Sequence, residues 1–211
     1  MKAAAQGGEP ALHAYDDAGV ALAQARRQTW GLIGVVLALF GLLRFSFGPL
    51  PQDHAYHLFA DTRFCGPIPR AGDVLSNLAI LAVGLAGMTL WRRVHIEPAE
   101  RAAYGLLVVG MLTTAAGSAW YHWAPSDARL VWDRLPMTLV LAALFAFVLS
   151  DRFHPAFARA AWWPFALLGV ASVLWWAWTG RSGADDLLLY GLVRIGTGVG
   201  IVYLLLWRRG R

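Results

Sequence analysis

The chain is short of charge and of cysteine. Of its 211 residues only 15% are charged, against roughly 25% in soluble domains, and Cys65 is the one cysteine. Pairing within the chain by a disulfide is therefore impossible, and a water-exposed surface would lack its usual charges. Strand-like alternation is absent too. No contiguous basic face is present, so we expect no nucleic-acid partner.

What the chain has is apolar sequence in long blocks, since 58% of its residues are hydrophobic. A helix needs about 20 mostly apolar residues to cross the hydrocarbon core of a membrane. Glycines recur inside the blocks, where small residues let helices approach closely, and most of the tryptophans lie near block ends, as at headgroup level. The sequence predicts an all-α polytopic bundle of about six transmembrane helices, at residues 30–49, 73–91, 103–123, 134–150, 162–179 and 187–207.

The distribution of Lys and Arg predicts the orientation in the membrane. With the N-terminus inside, the inner segments carry 11 of these residues and the outer segments, Arg134 included, carry 6. Positive residues favour the cytoplasmic side. We therefore expect residues 1–29 to be a flexible cytoplasmic tail and residues 30–211 to form one transmembrane domain. Both termini would be cytoplasmic, and in a bacterial cell this places the chain in the inner membrane.

A small polar cluster is predicted at the outer ends of the third and fourth helices. Ser118 and His122 are four residues apart and share a helix face, and a short loop brings Asp133 to the same depth. Each residue also has a simpler interpretation, as a backbone-bonded serine, an interfacial histidine or a helix cap. Ionisable groups near lipid are costly and usually line a cavity, so we expect the three to converge on one outward-facing cavity.

Two histidines in the outer loop between the first two helices are candidate metal ligands. His54 and His57 are three residues apart and would share a face in a helical turn, which is a spacing that can hold a metal. The alternative is an ordinary solvated turn at the membrane surface. This loop, residues 50–72, is long enough to fold back over the third and fourth helices.

One cation and one carboxylate within the predicted spans have two interpretations each. Arg194, in the sixth helix, either snorkels towards the headgroups or points inward and pairs with a carboxylate, of which Asp133 is the favoured partner. Asp73 either caps the second helix together with Ser76 and Asn77 or serves as that partner.

Three segments resemble the bacterial members of the alkaline ceramidase/phytoceramidase family, in the CREST superfamily of membrane hydrolases. They are Asp73-Val-Leu-Ser-Asn, Gly117-Ser-Ala-Trp-Tyr-His and Trp132-Asp-Arg-Leu-Pro-Met, and the resemblance spans about residues 54–195. It implies a zinc amidohydrolase that cleaves the amide bond of ceramide-type lipids. His122 would bind zinc, Ser118 would stabilise the oxyanion, and Asp133 would transfer protons for the zinc-bound water.

The chain also departs from that family. It lacks the family's His-x-x-x-His pair, as though the last helices were missing, so further zinc ligands would have to come from His57 and His54. Arg63, Gly66 and Arg70 stand where the animal proteins carry acidic calcium ligands, and no calcium is expected. The alternative is a non-catalytic relative that binds a lipid or membrane partner in the same cavity. A transporter is favoured least, because paired broken helices are absent.

Overall fold

The computed structural model describes residues 9–207, and within them the side chains of all but residues 9–16, 54 and 207. The described chain is helical, as predicted, and six helices are long and apolar enough to cross a membrane. This is an integral membrane protein. The six helices are α1 (Glu9–Phe47), α2 (Ala71–Leu90), α3 (Arg101–Trp123), α4 (Asp127–Arg152), α5 (Ala156–Arg181) and α6 (Leu188–Trp207).

Three helices begin at least six residues earlier than hydropathy predicts, and in α1 and α4 the first turns are polar. α1 is already helical at Glu9, so most of the segment predicted as a tail is continuous with the first span, and residues 1–8 lie outside the described part. α4 begins at Asp127, where the Ser126 side chain accepts a hydrogen bond from the Arg129 amide at 3.3 Å. Asp133 is therefore well inside α4 and does not cap it. α5 begins at Ala156.

The helices pack as a layer around α3 and α4. α3 lies between α2 and α4, and α4 also contacts α5 and α6. Among the described helices α2 contacts only α3, and α1 packs against α5 and α6. We use "site end" for the end of the bundle where α1, α3 and α5 finish and α2, α4 and α6 begin. Ser118 is near the end of α3, so it lies at the site end.

The tightest contact in the bundle is between α3 and α4 at Gly117. A Cβ atom there would overlap the Trp132 carbonyl oxygen and would lie 2.8 Å from its carbon and 3.4 Å from the Asp133 amide nitrogen. Only a glycine lets the two backbones touch in this way. Gly110 on the same helix approaches Val140 of α4 closely as well, since a Cβ atom at Gly110 would lie 2.8 Å from Val140 Cγ2.

Asp186 joins the connecting segments at the site end. Its side chain is fully buried and accepts hydrogen bonds from Arg44 Nε at 3.0 Å, the Leu50 amide at 3.2 Å and the Leu188 amide at 3.0 Å. Trp175 Nε1 is 3.4 Å away. One carboxylate thus ties the end of α1 and the chain that follows it to the start of α6.

The start of α2 is capped from a distance by Asp61. Asp61 Oδ2 accepts from the amides of Gly72 at 2.7 Å and Asp73 at 3.3 Å, and Oδ1 accepts from Arg63 Nε at 2.6 Å. Asp73 therefore does not cap its own helix. The Arg63 guanidinium, with the amides at the helix start, holds the pKa of the Asp61 carboxyl well below its usual range.

We predict that Gly117→Ala lowers the free energy of unfolding by about 1–3 kcal/mol, the usual cost of overpacking a well-packed contact. The added methyl group must push α3 away from the Trp132 carbonyl. Denaturant unfolding in detergent micelles measures the effect. Gly198→Ala is the control, because nothing lies within 4 Å of a Cβ atom at Gly198. Equal stability of Gly117→Ala and the wild type would contradict the tight contact.

We predict that Asp61→Asn destabilises the protein at neutral pH but not in strong acid. The folded-state pKa of Asp61 lies below its unfolded value, so the ionised carboxylate stabilises the folded state. This contribution to the free energy of unfolding is complete above the ordinary carboxyl pKa of about 3.9. It is lost as the pH falls through the folded-state pKa. The melting-temperature gap between variant and wild type should therefore shrink below about pH 4. Glu97→Gln, at an exposed carboxylate on the opposite side of the bundle, is the control. A gap that is constant with pH would refute this account.

Candidate functional site

The α3–α4 contact brings two of the predicted site residues close together. Ser118 directly follows Gly117, and the Asp133 amide is part of the backbone that Gly117 meets. Ser118 is buried, with 8% of its surface exposed, while Asp133 is half-buried. His122 lies one turn further towards the end of α3. The predicted adjacency of helices 3 and 4 is thus confirmed, and the convergence of all three side chains on one cavity stays a prediction.

His122 carries a buried nitrogen that lacks a partner. Its Nδ1 makes no hydrogen bond within the described chain, and its ring packs against Phe59 with 4.7 Å between ring centroids. Arg70, which has a left-handed φ of 46°, donates to the Trp123 carbonyl at 3.1 Å and reaches that of His122 at 3.4 Å. Arg70 therefore caps the end of α3 and fixes the backbone of His122. The His122 imidazole keeps one nitrogen without a hydrogen-bond partner.

An apolar groove lies on the same helix faces, two turns away from the site. It lies between α2, α3 and α4, measures about 250 Å³, and is lined by Val83, Gly84, Gly87, Tyr104, Leu107, Val108, Met111, Val140 and Leu144. Met111 and Ser118 are seven residues apart on α3, as are Asp133 and Val140 on α4. A spacing of seven returns to one helix face, so the groove lies two turns, about 10 Å, below the polar residues.

The segment of residues 48–70, here called the cover segment, folds over the ends of α3 and α4, as the length of the 50–72 loop allows. His57 in its short 3₁₀ turn (His54–His57) contacts Tyr121 Oη through Nδ1 at 3.0 Å and Asp127 Oδ1 through Nε2 at 3.1 Å. Both ring nitrogens are engaged, so His57 would have to give up one contact to bind a metal. The His54 side chain lies outside the described residues.

The residues present supply only part of a zinc site. A catalytic zinc normally has three protein ligands, and His122, with Asp133 beside it, offers at most two. Within residues 9–207, where side chains are described, no three His, Cys, Asp or Glu residues are grouped as metal ligands. Zinc binding and the expected lack of calcium binding both stay predictions.

The expected pairing of Arg194 with Asp133 is wrong. Arg194 is exposed, and its Nη1 donates to the hydroxyl of Tyr190, one turn earlier on α6, at 2.6 Å. No ion pair joins it to Asp133 in the described structure, although the carboxylate still acts on it electrostatically. The tyrosine four residues away is a local signal that favours this arrangement, because such residues are neighbours on a helix surface.

Arg134 is the buried cation that sequence reasoning missed. The sequence places it with the outer loops, but only 4% of its surface is exposed. Its guanidinium lies over the Trp176 ring at 4.2 Å and the Tyr190 ring at 4.9 Å, and Nη2 donates to Gln52 Oε1 at 2.6 Å. Its Nε and Nη1 have no partner among the described residues. The aromatic faces and the Gln52 side-chain amide therefore stabilise the Arg134 cation, as a carboxylate would in an ion pair.

Comparison with known proteins does not test the ceramidase resemblance, which stays a prediction. No protein-family model, no curated protein and no solved structure matches this chain. Support for a function therefore comes from the side chains of the site.

Proposed function

We propose that this protein is a ceramidase-like membrane hydrolase that cleaves the amide bond of ceramide-type lipids at the site end of the bundle. The observation that carries the proposal is the position of Ser118 and Asp133 at the α3–α4 contact, on the faces that line an apolar groove. A polar reaction centre above an apolar groove matches a lipid with a polar linkage and long acyl chains. The resemblance of the same residues to ceramidases supports this choice.

The chemistry can be written with the chain's own residues. A water oxygen attacks the amide carbonyl carbon while the Asp133 carboxylate accepts the water proton. The Ser118 hydroxyl donates to the oxyanion that forms on the carbonyl oxygen. The carbon–nitrogen bond then breaks, and the proton held by Asp133 passes to the departing amine. A zinc ion, if His122 and further ligands held one, would lower the pKa of the attacking water.

The groove explains how the lipid would be oriented. It begins about 10 Å below Ser118 and reaches Tyr104, fourteen residues or about 21 Å along α3. Its walls are apolar apart from Tyr104, whose hydroxyl donates to the Gly87 carbonyl at 2.7 Å. An acyl chain in this groove would bring the amide to Ser118 at the membrane surface. In the proposed orientation that surface faces the periplasm of a bacterial cell, with both termini in the cytoplasm.

A second function is supported by the incomplete metal ligand set. A relative that binds the same lipid without cleaving it would use the groove and the polar residues but no activated water. The two functions differ in turnover, since lipid binding without release of fatty acid would favour the non-catalytic protein. Zinc that is bound by the wild type and lost in His122→Ala would favour the hydrolase, because a metal held there would activate the attacking water.

We predict that Ser118→Ala lowers kcat for fatty-acid release from N-acyl sphingoid lipids about 10²–10³-fold, the usual effect of losing one oxyanion donor. Asp133→Asn should lower it about 10²–10⁴-fold, because the general base is lost. The assay uses purified protein in vesicles with zinc added. Ser182→Ala, at an exposed serine after α5, is the control. Turnover that survives both site substitutions would overturn the assigned roles.

We predict that Leu144→Trp raises KM for long-chain ceramide and leaves KM for an N-acetyl analogue unchanged. Leu144 lines the groove and is 38% exposed, so an indole there would occupy the space of the acyl chain. The short analogue does not reach that depth. Leu167→Trp on α5, where 59% of Leu167 is exposed, is the matched control. Equal effects on both substrates would show that the chain binds elsewhere.

A further inference from the structure

A second cavity at the site end lies between α4 and α5, away from the groove. Its volume is about 490 Å³, and its walls come from the start of α4, the end of α5, the cover segment and the connection before α6. The residues that matter for its chemistry are Trp176, Arg181 and Asp185, together with Gln52, behind which Arg134 is buried. The ends of spanning helices lie at headgroup level, so this cavity faces polar lipid groups.

The cavity holds opposite charges that do not pair with each other. Arg181 makes no ion pair with Asp185 or Asp127, which line the same walls, in the described structure. Asp127 binds His57 instead, and Asp185 Oδ2 accepts from the Gln52 amide at 2.6 Å. A cation and a carboxylate that line one cavity without pairing suit a ligand that carries both charges.

Buried polar atoms without partners belong to the same walls. Trp176 is 2% exposed and its Nε1 donor is unpaired, and Asp185 Oδ1 is an unpaired buried acceptor. Behind them, Arg134 keeps two unpaired donors. Buried polar groups are nearly always satisfied, so such a set indicates a bound water, ion or ligand. The unpaired donor of Trp176 lies beside the positive charge of Arg134. The unpaired acceptor, Asp185 Oδ1, is a carboxylate oxygen.

We propose that this cavity binds a zwitterionic phosphoethanolamine headgroup. The phosphate would accept from Arg181 and from the Trp176 indole, with the buried Arg134 adding positive potential behind them. The primary ammonium would donate to Asp185 and be attracted by Asp127. A trimethylammonium group has no N–H to donate, and a glycerol headgroup has no cation. The proposal is independent of amide hydrolysis, since it uses neither Ser118 nor Asp133.

The test is lipid affinity of the full chain in detergent micelles, measured by native mass spectrometry. Phosphatidylethanolamine should bind about tenfold more tightly than phosphatidylcholine or phosphatidylglycerol, as expected when one charge-assisted hydrogen bond is lost. Asp185→Asn, which keeps the shape, should remove most of this preference. Arg181→Gln should weaken binding of all three lipids. Each variant is compared with Asp151→Asn and Arg159→Gln, exposed charges at the opposite end of the bundle.

Free phosphoethanolamine identifies the source of the headgroup. Competition by the free zwitterion at the concentrations of the lipid would support the same chemistry with a soluble ligand, and lack of competition would support a lipid. Equal affinity for the three lipids would overturn the proposal and leave water as the occupant of the cavity. A preference for phosphatidylethanolamine that survives Asp185→Asn would overturn it too, as would unchanged affinity for all three lipids in Arg181→Gln, a variant that the exposed position of Arg181 lets fold.

Discussion

The backbones of α3 and α4 touch at Gly117, and the polar end of the protein is arranged around that contact. Because Ser118 follows Gly117 and Asp133 follows Trp132, the contact that joins the helices also brings these two residues to the same level of the bundle. It also fixes the level at which α3 ends and α4 begins, so that a connection of three residues, 124–126, is enough. The cover segment then reaches Tyr121 and Asp127 together, through one histidine.

Buried polar interactions are concentrated where lipid gives way to water. Asp186 holds the start of α6, Asp61 holds the start of α2, and Arg134 holds Gln52 of the cover segment. Each interaction satisfies backbone groups or charges that would be costly near lipid. Towards the middle of the membrane, contacts such as that of Gly110 with Val140 are apolar and depend on size. Hydrogen bonds between the connecting segments and the helix starts therefore specify the site end, while close packing of α3 against α4 continues along the bundle.

The sequence predicted what depends on local pattern. Hydropathy found six helices, and a short loop between two of them was sufficient to make α3 and α4 neighbours. Hydropathy failed to predict where a helix begins when polar turns extend it, as at Asp127. A window of apolar residues detects only the part of a helix within lipid. Hydropathy failed again at Arg134, whose surroundings come from the cover segment, α5 and α6 at once. Contacts between residues over a hundred positions apart, such as that of Arg44 with Asp186, leave no periodic signal.

The two cavities flank α4 and have opposite characters, which has a consequence for how lipids would approach the protein. The groove by Ser118 is apolar and open along the α2–α4 face, so it suits acyl chains that enter sideways from the membrane. The cavity by Trp176 is lined by the charged residues Asp127, Arg181 and Asp185 and lies where the helices end. Asp127 and Arg134 belong to the first turns of α4. Through His57 and Gln52 they hold the cover segment that lies over the ends of α3 and α4. A headgroup bound at Trp176 would therefore contact the same helical turns that position Asp133, without entering the groove that is proposed to hold the acyl chain.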